Sequence, residues 1–233
     1  MKKLDVKGDI ITDEEKWIYD YLEWPSTCPK DITDALKDAE GDSVEVTINS
    51  CGGNVIAGSE IYTMLMNYDG EVNINVIYAA SAASVISMAG KSKISPTGLF
   101  MIHNVSCASS GDYRDMDHTS DVLKAANKAV ASAYRDKTGM TEKELLKMMD
   151  NETWLSADEA VEKGFIDEKM FSKKLKLSPQ PVVFTGTSFS QSVTVSCPFS
   201  AETVLSSPRV TITILLSSSD FSATAFLSSS KET

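Results

Sequence analysis

The chain has 233 residues, enough for one α/β domain with a substantial core, and a formal net charge of -11, which argues against nucleic acid or an anionic membrane surface as its main partner. No run of about 18 apolar residues occurs, so no membrane span is expected. Cys28, Cys51, Cys107 and Cys197 are scattered, with no C-x-x-C pair and no neighbouring histidine, which excludes the usual zinc patterns and fits free thiols in a reducing cytoplasm.

Leu4, Val6 and Ile10 roughly alternate with polar residues across Gly8 and predict a first strand, and Thr12 with Glu15 forms a capping box opening a helix through Tyr21. A second helix is expected over 31–39, stopped at Gly41. Val44, Val46 and Ile48 then alternate into a strand that runs into the turn Asn49-Ser50-Cys51-Gly52-Gly53. A helix follows with Val55, Ile61, Leu65 and Met64 on its buried side. Val72, Ile74 and Val76 give another strand, and 81–89 has the small-residue composition of a buried helix packed closely on a sheet. Leu99 to His103 reads as the next strand, and a long helix is expected from Met116 to Lys137, stopped by Gly139. Thr141 with Glu144 and Ser156 with Glu159 are two more capping boxes, and Gly164 ends the last helix. Strands alternating with helices imply a largely parallel sheet. From Leu177 to Ser230 the only charges are Glu202, Arg209 and Asp220 amid many Ser and Thr. Such a tail has too little apolar area to offset its ordering entropy, so residues 172–233 are expected to be poorly ordered, with a β-prone patch at 210–216.

Chemistry is suggested at three places. The glycine pair Gly52-Gly53, between a strand and a helix, lets a substrate or a developing anion approach bare backbone N–H groups, although such a pair is more often a plain turn. Small residues around Ser81 place its hydroxyl at a strand-to-helix junction, where close packing is the competing explanation. Of the chain's two histidines, His103 ends an apolar run, whereas His118 lies among Arg114, Asp115, Asp117 and Asp121 on a polar helix face. There is no G-x-S-x-G elbow, no H-E-x-x-H and no phosphate-binding loop ending in Lys-Ser or Lys-Thr.

The order of these segments resembles the ClpP-like serine peptidases, and more closely the ClpP-related head maturation proteases of phages and prophages. The resemblance spans about Gly8 to Ile166. It is carried by Ile48-Asn49-Ser50-Cys51-Gly52-Gly53 with Ala57-Gly58 and Ile61-Tyr62, by Ala79-Ala80-Ser81 followed by Ala89-Gly90, by Met101-Ile102-His103, and by Leu155-Ser156-Ala157 with Glu159-Ala160-Val161 and Gly164. It implies a ClpP/crotonase-like α/β fold of repeated β-β-α units with a mostly parallel sheet and a protruding long helix, a peptidase domain over 1–171, and no cofactor or metal. Ser81 then matches the nucleophile, His103 the general base, and the N–H groups of Gly53 and Ala82 the oxyanion hole, while Ser84 falls where the family has a small packing residue. Glu152 stands where these proteins usually carry the orienting aspartate, with Asp150 as a rival and a Ser81–His103 dyad as a third arrangement.

Departures from the family pattern are Cys51 in place of a common proline, Ile77 for a glycine, Asn104 for glutamine, and a 107–113 segment unlike the glycine-rich handle strand. The implied partners are a protein or peptide substrate, in the head maturation branch a capsid or scaffold protein, and further copies of the chain in heptameric rings. The short segment before Gly8 implies ATP-independent or weakly ATPase-coupled action, in the cytoplasm or within procapsids. Two other readings compete: a crotonase-like acyl-CoA enzyme, which would rely on carboxylates rather than a serine and histidine in this order, and a catalytically silent ring-forming scaffold.

Overall fold

The computed structural model describes residues 1–171 and, within a second unit at Pro179–Thr233, two three-residue strands, Thr211–Thr213 and Phe226–Ser228, paired antiparallel. The first of these falls in the β-prone patch; the expected disorder of the remaining tail lies outside the described residues.

The first unit is built on a seven-stranded sheet. Its strands are β1 (Lys2–Ile10), β2 (Ser26–Thr27), β3 (Val44–Gly53), β4 (Val72–Ala80), β5 (Lys91–Ile102), β6 (Thr153–Ser156) and β7 (Glu168–Lys169). They run in the order β2-β1-β3-β4-β5-β6, with β7 also on β5, and every pairing is parallel except β5 with β6. The mostly parallel α/β sheet is therefore as expected. Val44, Val46 and Ile48 are fully buried while Glu45 and Thr47 between them are half-buried, the alternation of a strand packed mainly on one face.

The helices are α1 (Lys16–Tyr21), α2 (Pro29–Ala39), α3 (Val55–Met66), α4 (Ala82–Ile86, continued by a 3-10 turn over Ser87–Ala89), α5 (Tyr113–Thr138), α6 (Glu142–Asp150) and α7 (Ala157–Glu162). Thr141 and Ser156 each close a reciprocal capping box, with Glu144 and Glu159, and α5 ends on Gly139 in the left-handed conformation. Ile61 and Leu65 of α3 are buried as expected, but Val55 and Met64 are only half-buried, and Ala57 and Gly58 complete the buried face instead. The reason is a close crossing: a Cβ on Gly58 would meet that of Ala82 at 2.9 Å.

Three differences from the sequence reading matter for the site. The Glu15 carboxylate does hold the Thr12 N–H and hydroxyl, but a turn follows and α1 begins only at Lys16. The segment 49–53 is not a turn outside the sheet but the end of β3, with Asp9 opposite Gly52 and Ile10 opposite Gly53. Finally, β5 begins eight residues before Leu99, and His103 lies one residue beyond its end.

Candidate active site

Three parallel strand ends converge where β3, β4 and β5 stop. β4 ends at Ala80, and Ser81 is the residue between it and α4, held at φ 55° and ψ -126°. This left-handed backbone is costly for a residue with a side chain, by about 1–2 kcal/mol. The strain is maintained by fixed neighbours: the Ser81 N–H donates to the Met101 carbonyl at 3.1 Å, and its own carbonyl accepts the Ser84 N–H at 3.0 Å. Turning the chain in this way lifts the Ser81 side chain out of the sheet toward β5.

There it meets His103. Nε2 of the imidazole lies 2.8 Å from the Ser81 hydroxyl oxygen. The segment that carries the imidazole is anchored on two sides, by the Val105 N–H donating to the Asn127 side chain of α5 at 2.7 Å and by the Asn104 side-chain amide donating to Asp150 at 2.9 Å. With its ring proton on Nδ1, such a histidine accepts the hydroxyl proton at Nε2, the arrangement that turns a serine into a nucleophile.

The glycine pair packs on the other side. A Cβ at Gly52 would stand 2.7 Å from Ser81 Cβ and 2.7 Å from the Ala80 carbonyl, and one at Gly53 would stand 2.2 Å from the Ile10 carbonyl, so both positions require the missing side chain. The loop is pinned by Ser50, whose hydroxyl donates to the Gly8 carbonyl at 2.6 Å and accepts the Gly52 N–H at 3.0 Å. Asn54 then caps α3, accepting from Ile56 and Ala57.

Ser81, His103, Gly53 and Ala82 line one cavity of about 530 Å³, together with Val85, Val130 and Tyr134 on its apolar wall and Asp9, Glu15 and Tyr19 on its polar one. Asp9 accepts the Tyr19 hydroxyl at 3.2 Å and faces the Cys51 thiol at 3.6 Å. Burial first, and the Asp9 charge second, push the Tyr19 phenol and the Cys51 thiol above their ordinary pKa, so both are neutral near pH 7. Among the described residues Cys28, Cys51 and Cys107 are unpaired, no cluster of His, Cys, Asp or Glu is able to hold a metal ion, and no helix is long and apolar enough to cross a membrane.

The carboxylates expected behind the histidine are placed differently. The antiparallel register pairs Ile102 with Thr153, which sets Glu152 one step further, on the His103 side of the ladder. Its side chain, however, accepts the Trp154 indole N–H at 3.1 Å, and Asp150 is held by Asn104. Neither has a hydrogen bond or ion pair with the imidazole among the described residues. His118 lies exposed on α5.

The sequence reading assigned Ser84 to packing and did not pick out Tyr134. The Ser84 hydroxyl donates to the Ser81 carbonyl at 2.6 Å and lies 2.7 Å from the Tyr134 hydroxyl. Fifty residues separate that pair, and a serine in an alanine-rich helix reads as packing; the only local signal was a tyrosine on the long helix.

The profile of the Clp protease family matches residues 33–173. The chain belongs to the Clp protease family. Among curated Clp protease proteins, the chain is 32% identical over 139 residues to an ATP-dependent Clp protease proteolytic subunit 1 of Chlamydia abortus, an alignment covering 57% of this chain and 72% of that one. An ATP-dependent Clp protease proteolytic subunit of Bacteroides fragilis is 31% identical over 137 residues, covering 57% and 66%. Among solved structures, a point mutant of ClpP1 from Listeria monocytogenes superposes with a TM-score of 0.60 at 20% identity, over 72% of this chain and 91% of that one. The Clp protease match includes Ser81, His103 and the Gly52-Gly53 pair, and the structural likeness establishes the fold.

Proposed function

We propose that this Clp protease family member is a serine endopeptidase that cleaves peptide bonds through an acyl-enzyme. The observation that carries the reading is the 2.8 Å contact between His103 Nε2 and the hydroxyl of a strained Ser81 in the wall of a peptide-sized cavity. In this reading His103 takes the Ser81 proton as the oxygen attacks the substrate carbonyl, and the N–H groups of Gly53 and Ala82 receive the oxyanion. The imidazolium then returns the proton to the leaving amine, and water repeats the sequence to release the acyl group. Glu152 is assigned as the carboxylate that orients His103, a role supported by its neighbouring position in the ladder and requiring its side chain to leave Trp154. The substrate is an extended polypeptide, laid beside Gly52-Gly53 and the 105–113 segment.

The finer reading is a head maturation protease acting on phage capsid or scaffold protein, ATP-independent or weakly ATPase-coupled, assembled in heptameric rings through the long helix α5. It is supported by the ordered motifs around Gly52-Gly53, Ser81 and His103 that resemble that branch. The test is labelling of the parent and of Ser81→Ala with a fluorophosphonate probe. Labelling of the parent alone is the expected result; equal labelling of both removes Ser81 as nucleophile, and labelling of neither removes the peptidase reading. Mass spectrometry of the parent incubated with a candidate capsid precursor tests the substrate, the expected outcome being discrete fragments that Ser81→Ala does not produce.

A further inference from the structure

We infer that Tyr134 and Ser84 form a relay that aims the Ala82 N–H into the oxyanion hole, so that helix α5 sets the geometry of the transition-state site. The inference rests on the peptidase reading of Ser81 and His103, and gives that site two positioning residues.

The proton count fixes the direction of the relay. A serine hydroxyl has one proton, and that of Ser84 is committed to the Ser81 carbonyl at 2.6 Å. The 2.7 Å contact with Tyr134 must then be a donation from the phenol to Ser84. The phenol keeps its proton, because complete burial pushes its ionisation well above the ordinary tyrosine range. The chain of donors therefore runs from Tyr134 to Ser84 to the Ser81 carbonyl, which also receives the Ser84 N–H at 3.0 Å.

The Ser81 carbonyl and the Ala82 N–H belong to the same peptide group, which is planar and, with no cis peptide among the described residues, trans. The two bonds point in opposite directions within that plane. Holding the carbonyl toward Ser84 and α5 thus turns the Ala82 N–H the other way, out of the start of α4 and toward the cavity that Ser81 and Ala82 line. Without the clamp, rotation about the Ser81 ψ angle would swing the donor off the developing oxyanion while leaving the Ser81 hydroxyl in reach of His103. Donation into the carbonyl also polarises the amide and makes its N–H a stronger donor. Tyr134 is itself fixed: it is 1% exposed, and its ring packs edge-on against Phe165 at 5.7 Å, which in turn meets Phe100 of β5 at 5.4 Å. No other polar group among the described residues competes for the phenol, since its only hydrogen-bond partner is Ser84.

The experiment measures phosphonylation of Ser81 by a fluorophosphonate, as kinact and KI separately, in the full-length parent, Tyr134→Phe, Ser84→Ala and the double variant. Losing an oxyanion donor outright costs about 10²–10³ in rate, and a donor present but poorly aimed should cost about tenfold. The expected result is a kinact about tenfold lower in each single variant, with KI within about twofold and no further loss in the double, since both act on one peptide group. Near-ultraviolet circular dichroism checks that each variant is folded; should Tyr134→Phe not fold, Ser84→Ala decides by the same criteria. A kinact within twofold of the parent, a change confined to KI, or losses that multiply in the double variant would overturn the relay. A parent that is itself unlabelled at Ser81 refutes the peptidase reading and the relay's catalytic role with it, an outcome distinct from a labelled parent with indifferent variants.

Discussion

Gly52→Ala should displace Ser81, the proposed nucleophile, and the size of the effect follows from the packing. The added methyl would stand 2.7 Å from Ser81 Cβ, 2.7 Å from the Ala80 carbonyl oxygen and 3.0 Å from the Ala82 nitrogen, on a backbone with φ 102°. Carbon contacts are comfortable at about 3.5–4.0 Å, so Ser81 or the loop must yield by about 1 Å. The backbone conformation costs about 1–2 kcal/mol for a residue with a side chain, and overpacking adds about 1–3 kcal/mol. Together these predict a loss of about 2–5 kcal/mol, a fall in melting temperature of roughly 4–20 °C. A displacement of about 1 Å between Ser81 and His103 should lower turnover by about a hundredfold. Gly41→Ala is the matched control: its φ is 86°, but a Cβ there meets nothing within 4 Å, so it should lose about 1–2 kcal/mol of stability and no labelling rate. The assay pairs thermal melts with the fluorophosphonate labelling rate. Gly52→Ala labelled at the parental rate would refute the argument that this glycine exists to admit Ser81.

Three further outcomes are expected. Glu152→Gln should lower kcat by about 10³–10⁴ if its carboxylate orients His103, whereas Asp150→Asn, engaged with Asn104, should stay within about threefold of the parent; an unaffected Glu152→Gln would leave a Ser81–His103 dyad. Burial works to raise the Asp167 carboxyl but is outweighed by the Lys137 ammonium at 2.6 Å and the Ser92 N–H at 2.7 Å, which hold it below the usual range. Because the folded pKa is the lower one, its stabilisation is present above the unfolded value near 3.9 and fades as pH falls through the folded value. Asp167→Asn should therefore melt below the parent at pH 7 by about 1 kcal/mol, the side chain being partly solvated, and the gap should close in acid; a gap that is constant from pH 7 to pH 3 would contradict this. Cys51 is exposed, yet burial of its thiol and the Asp9 carboxylate keep it protonated, so iodoacetamide should react faster with Asp9→Asn than with the parent at pH 7.5, and equal rates would remove Asp9 as the cause.

The elements that could be read from the sequence were those whose cause is local. Thr141 with Glu144 and Ser156 with Glu159 form their capping boxes within four residues, Gly139 supplies the left-handed stop of α5, and Val44, Val46 and Ile48 alternate on one strand. What escaped was made by pairing. The first part of β5 buries Ser92 and Ile94 between exposed Lys91 and Lys93, but Pro96 and Gly98 interrupt the pattern, and only the neighbours β4 and β7 hold that stretch in the sheet. β6 is four residues long with Trp154 exposed, and nothing in it says strand until Leu155 is set opposite Phe100. Its antiparallel direction was likewise invisible, because the preceding helices α5 and α6 hide how the chain returns.

The candidate site divides along the same line. Ser81, His103 and the glycine pair lie at ends of adjacent strands, so their order along the chain already implied their meeting, and the 2.8 Å contact joins two residues that parallel pairing had to bring together. Glu152 was legible as a position but not as a contact: the ladder sets it beside His103, while the indole of Trp154, two residues on, takes its carboxylate. Backbone pairing thus decides which residues are neighbours, and side-chain competition decides which of them touch. The same competition acts on Ser84, which is fully buried. In an apolar helix a buried hydroxyl must find partners or cost stability, and the partners of Ser84 are the one carbonyl that governs Ala82 and a phenol fifty residues away. A residue that looks inert in sequence becomes informative once its single proton is followed to where it has to go.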